Sequence, residues 1–171
     1  TMRTKGLENY KLPRWDDLPN LDLYLDQVLS LLDEWLSDYL TYDKTSIMTK
    51  TMINNYVKQK YIDAPVNKKY PKETVASLVI IAMLKPVYTI SEISRLIKLG
   101  TRNEELDVVY DRFCDKIEEA VHHVFTQTAM PKIEDDADPR GIMWNVCTSF
   151  ACQLYVRNIY LQAHNKPVKS E

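Results

Sequence analysis

Thr49-Lys50-Thr51-Met52-Ile53-Asn54-Asn55-Tyr56-Val57-Lys58-Gln59-Lys60 is the stretch on which the reading of this sequence turns. Its apolar residues Met52, Ile53, Tyr56 and Val57 recur at helical spacing, which predicts a short helix with one buried side. Thr51, Asn54, Asn55 and Lys58 fall at i, i+3, i+4 and i+7 and share the opposite face. That face carries hydroxyl, amide and ammonium groups. An amide can bond bidentately to the edge of adenine, and lysine can reach guanine or phosphate, as a helix in the major groove must. The same pattern also describes an ordinary amphipathic surface helix, so the flanking sequence has to weigh between the two.

The flank that follows is short and basic. In Ile62-Asp63-Ala64-Pro65-Val66-Asn67-Lys68-Lys69-Tyr70, Pro65 keeps Ala64 out of the helical region, which suggests a small extended wing carrying two lysines. The net charge of the chain is only −2, yet residues 43–72 hold seven lysines against Asp43 and Asp63, a balance of +5. A charge run of this kind is either a solvated lysine face or an electrostatic footprint for nucleic acid.

Working outward, the remaining pattern is helical. Only 3 Gly stand in 171 residues, which disfavours a sandwich or barrel of many hairpins. Leu12-Pro13-Arg14-Trp15-Asp16-Asp17-Leu18-Pro19 reads as a proline-bounded arm, with Asn20 as an N-cap. A first helix follows from about Leu21 to Leu40, through Leu21, Tyr24, Leu25, Val28, Leu32 and Leu36. After the basic block, Pro71 opens a helix to about Lys85 that is apolar on most sides. Thr89 and Glu92 form a capping box for a helix that stops at Gly100. Leu106, Val109, Tyr110, Phe113, Ile117, Val121 and Phe125 mark a long helix within 103–129. Ile142 to Tyr160 mark another, from near Pro139, after a break at 131–139. The fold class expected is all-α, divided into an arm (1–20), a head (21–100) and a C-terminal helical region (101–171) that forms a helical hairpin for dimerisation or sensing.

Read as a unit, 48–99 resembles the winged-helix head of MerR-type transcription regulators. Met52-Ile53-Asn54-Asn55-Tyr56, Ile62-Asp63-Ala64-Pro65, Lys68-Lys69-Tyr70 and Tyr88-Thr89-Ile90-Ser91-Glu92-Ile93 stand in the places of that family's recognition helix, following phrase, wing and next helix. The arginine and first tyrosine usual in that recognition helix are matched here by Asn54 and Asn55. More closely, Leu12-Pro13-Arg14-Trp15 with Met52 to Lys58 and Lys68-Lys69-Tyr70 resembles an uncharacterised bacterial family, domain of unknown function 1836. The MerR likeness implies duplex DNA as partner, an antiparallel pairing of two subunits through the long helix, and transcription regulation. The DNA-contacting residues expected are Lys50, Thr51, Asn54, Asn55, Lys58, Lys68, Lys69 and Lys72. A protein-interaction module that keeps the winged fold is the alternative, as is a sensor enclosing an unknown small ligand among Tyr110, Trp144, Phe150 and Tyr155.

Other classes find little support in the residues. There is no phosphate loop or nucleophile elbow, so no enzyme, no catalytic residue and no cofactor is expected. Glu118, Glu119, His122 and His123 are the one metal-like cluster, and a bundle metal site needs ligands from several helices, so no metal is expected. The longest apolar run, Val75 to Leu84, falls short of the about 20 residues that cross a bilayer, and no charged leader opens the chain. Cys114, Cys147 and Cys152 lack ligand spacing and read as reduced thiols, the last two as small core residues. A cytoplasmic location follows from these expectations.

Overall fold

The computed structural model describes residues 6–40, 46–130 and 139–161. These residues are mainly helical, with one two-stranded sheet. Residues 131–138 of the expected break lie outside them. Two compact units are formed: Lys11–Asp115, and Thr1–Tyr10 together with Lys116–Glu171.

In the first unit the apolar row of the early sequence divides into strand and helix. Leu23–Tyr24 form β1, and α1 follows as Leu25–Leu40. The expected helix start at Leu21 is therefore corrected. Asn20 does not cap it; its Oδ1 accepts from Lys72 Nζ at 2.7 Å. β1 pairs antiparallel with β2, Lys69–Tyr70, in the register Leu23 to Tyr70 and Tyr24 to Lys69. Alternation then buries Leu23 and Tyr70 on the inner face and turns Tyr24 outward. From α1, Val28, Leu32, Leu36 and Tyr39 are buried at the spacing of a single helical stripe.

The centre of this unit is α3, Lys72–Leu84, which lies against α1 and against α4, Ile90–Gly100. Every residue from Leu78 to Leu84 is buried, as a helix apolar on all sides requires. Pro71 sits at its N-cap, and Pro86 follows its end. The expected capping box on α4 is present in both directions: Glu92 N donates to Thr89 Oγ1 at 3.2 Å, and Thr89 N donates to Glu92 Oε2 at 2.9 Å.

The proline-bounded arm is no loose tail. Leu12 and Leu18 are buried, and Trp15–Asp17 form one 3₁₀ turn. The arm straps the first half of α5, Leu106–Thr126. Tyr110 Oη donates to Pro13 O at 2.7 Å, Trp15 N donates to Asp111 Oδ1 at 2.7 Å, and Arg14 Nη2 meets Asp115 Oδ1 at 2.8 Å. Burial pushes the Tyr110 hydroxyl well above its ordinary range, which keeps it a donor to that carbonyl.

In the second unit, the part of α5 from Lys116 onward contacts α6, Pro139–Val156, through aromatic edges. Phe125 and Tyr155 have ring centroids 5.3 Å apart at near-perpendicular angles, and Lys116 Nζ lies 5.6 Å from the Trp144 centroid. Phe150, Ala151 and Leu154 are buried, as expected of a core helix, and α6 passes into a π-helical segment, Arg157–Leu161. Cys114 and Cys147 are buried, whereas Cys152 is exposed, which corrects its reading as a core residue.

Candidate nucleic-acid interface

The site begins with a cap. Thr49 stands in extended conformation, and its hydroxyl accepts from Met52 N at 3.2 Å, opening α2, Lys50–Lys58. Ile53 is fully buried and anchors the helix, with Met52, Tyr56 and Val57 half-buried beside it. Burial raises the pKa of the Tyr56 hydroxyl above its ordinary value. At the other end Lys60 adopts φ 62°, Tyr61 N donates to Tyr56 O at 2.9 Å, and Lys60 N donates to Val57 O at 3.0 Å. These two bonds with a left-handed residue between them make a Schellman stop, built here without glycine. Beneath the helix, the half-buried Lys85 donates from Nζ to Ile47 O at 3.3 Å and lies 3.9 Å from Met52 Sδ. Its burial lowers the lysine pKa.

This framework fixes which way α2 faces. Thr51, Asn54, Asn55 and Lys58 are all exposed on one side. None of the four side chains has a partner among the described residues, so their donors and acceptors point into solvent.

The wing-like stretch is a tight hairpin. Val66 and Lys69 exchange backbone bonds of 3.0 Å in both directions, around Asn67 at φ 51° and Lys68 at φ 64°. Positive φ at both central residues is the signature of a type I′ turn, whose twist matches that of the flanking strands. Lys68 is thereby exposed at the tip.

The eight residues expected to contact DNA therefore separate. Thr51, Asn54, Asn55, Lys58 and Lys68 are exposed and uncommitted. Lys50 Nζ pairs with Asp26 Oδ1 at 2.7 Å, both side chains being largely exposed, a weak pair that a phosphate could replace. Lys69 Nζ lies 4.9 Å from the Tyr24 ring centroid across the β1–β2 pair. Lys72 is half-buried: besides its bond to Asn20, its Nζ stands 5.0 Å from the Trp15 ring centroid. Lys69 and Lys72 thus tie the turn and the start of α3 to the N-terminal segment. Reasoning from the sequence missed Tyr24 and Trp15 as their partners, because nothing local announces a ring brought up by a distant strand.

The other candidates resolve simply. Among the described residues no group of three His, Cys, Asp or Glu side chains could hold a metal. Glu119 pairs with Lys116 at 2.8 Å, and His123 Nδ1 lies 2.8 Å from Thr128 Oγ1. Of the four aromatic residues considered for a small ligand, Tyr110 belongs to the first unit and Trp144, Phe150 and Tyr155 to the second. No helix among the described residues is long and apolar enough to cross a membrane.

A family model described as domain of unknown function (DUF1836) matches residues 13–113, which span the arm, the α2 face, the turn, α3, α4 and the strapped part of α5. No curated protein and no solved structure matches the chain.

Proposed function

The chain belongs to the DUF1836 family, and we propose that residues 21–100 form a MerR-like winged-helix head that binds duplex DNA, with α2 in the major groove and the Asn67–Lys68 turn as the wing. The observation that carries this reading is the exposed, uncommitted face of Thr51, Asn54, Asn55 and Lys58 on α2. Asn54 and Asn55 would read base edges, while Lys58 and Lys68, joined by Lys50 once it leaves Asp26, would meet phosphates. Lys69 and Lys72 act as positioning residues for the wing. The C-terminal helices α5 and α6 form a hairpin that pairs two chains, placing two heads on half-sites about one helical turn apart. The protein is then a cytoplasmic, dimeric transcription regulator.

Selection from a random duplex pool by the purified full-length protein tests this. Enrichment of a palindrome is the expected outcome, with a log-log salt slope of about −4 to −6 for the dimer. A pool that stays unenriched, or an affinity indifferent to salt, would overturn it.

A further inference from the structure

We propose that the outward face of α4 is a docking groove for an acidic amphipathic helix of a protein partner. α4 turns Ile93 and Ser94 into the unit. On its opposite side, one open cleft of about 670 Å³ is lined by Tyr88, Leu96, Leu99, Arg95, Lys98 and Arg102. These six and Glu92, the described residues of its wall, all come from α4 or from residues directly flanking it, so among the described residues they form a groove that runs along one helix.

Its chemistry has two parts. Leu99 is 39 % exposed beside the half-buried Leu96 and Tyr88, giving an apolar strip along the helix. Arg95, Lys98 and Arg102 flank that strip, and no acidic side chain among the described residues pairs with any of them. The one carboxylate in the cleft, Glu92, has its Oε2 engaged in the cap. Phosphodiester backbone would satisfy the cations and leave the leucines wet. A helix with leucines on one stripe and glutamates beside it satisfies both, by the helix-in-groove mode of recognition. Arg95 and Lys98 lie three positions apart on α4, about 4.5 Å along its axis, and Arg102 follows the Thr101 C-cap, so the cations cluster toward the C-terminal end of the helix.

This inference stands apart from DNA binding by α2, and its test keeps the two separate. The probe is a synthetic helical peptide with leucine at heptad a and d positions and glutamate at the flanking ones, titrated into the full-length protein at low salt. Its lysine-for-glutamate counterpart and inorganic phosphate are titrated in parallel, with amide chemical shifts as the readout. The acidic peptide is expected to shift residues 88–102 with a midpoint in the micromolar range. Arg95→Glu should weaken it at least tenfold, and Leu99→Asp should do the same through the apolar strip. Arg102→Glu serves as a second charge reversal should the first variant unfold, and affinity for the selected DNA should be unchanged in each folded variant. The groove is refuted if the acidic peptide fails to bind, if it shifts residues elsewhere, or if the reversals leave its affinity intact. Phosphate alone producing the same shifts would also overturn it, in favour of an anion site.

Discussion

α2 and α4 belong to the same unit and both open on a threonine cap, yet they show opposite surfaces to solvent. α2 presents hydroxyl, amide and ammonium groups with no apolar row between them. α4 presents Leu96 and Leu99 flanked by guanidinium and ammonium groups. The first surface suits a partner made of hydrogen-bonding edges and phosphates, the second a partner that has carbon to bury. The helices also differ in how firmly they are held. Both fall below the about 12 residues that an isolated helix needs, but α2 has only 9 and its stop uses a lysine where glycine is usual. α4 has 11 residues and a reciprocal capping box. Capping therefore decides where each helix begins, and the outward residues decide what it can meet.

The largest way to break this contrast is at the anchor of α2. Ile53 is fully buried, so Ile53→Ala should cost about 2 to 5 kcal/mol in denaturant melts and loosen the whole outward face of α2. Leu96→Ala on α4, at a half-buried position, should cost far less. Next in size is the separation of reading from holding. Asn55→Ala should cost about 1 to 3 kcal/mol on the selected duplex and little on unrelated DNA, whereas Lys68→Ala should weaken all sequences alike in filter-binding titrations. An equal effect of both on every sequence would remove α2 as the reader. A smaller change sharpens the difference in helix stops. Lys60→Gly should raise stability by about 0.5 to 1 kcal/mol, because glycine meets φ 62° without a Cβ clash.

The smallest effect is a pH dependence under α2. Burial holds the Lys85 pKa below its ordinary 10.5. Between that lowered value and 10.5 the unfolded chain binds more protons, so stability should rise with pH across the window; below it both states are protonated and the penalty is constant. Tyr56 and Tyr70 act in the opposite sense. Their hydroxyls are raised above 10.0, so stability should fall once the unfolded tyrosines ionise above that pH. Lys85→Met should abolish the rise and keep the fall in urea melts followed from about pH 8 upward.

Much of this contrast was legible in the sequence, because it rests on local periodicity. The i, i+3, i+4, i+7 set on α2, the Thr89–Glu92 box and the apolar run of α3 each follow from residues close along the chain. What could not be read depends on pairing across distance. Leu21, Tyr24, Leu25 and Val28 fit one helical stripe as spacing, yet Leu23–Tyr24 are a strand because Lys69–Tyr70 stand beside them. Leu21 is left 62 % exposed. Lys69 and Lys72 looked as free as Lys58 and Lys68 until Tyr24, Asn20 and Trp15 came into place. The arm was recognised by its prolines, but its hold on α5 has no local signal at all.

That hold sets an order of events during synthesis. Pro13, Arg14 and Trp15 leave the ribosome before their partners, and Tyr110, Asp111 and Asp115 follow 96 to 101 positions later. At typical elongation rates the nascent arm waits about 5 to 20 s for the helix it straps. Over that interval the α2 face is already translated while the Pro13 carbonyl and the Trp15 amide have only water to bond. A chain stopped at Gly100 stays in that waiting state permanently, so the shortest fragment that carries both the α2 face and a closed strap ends at Asp115.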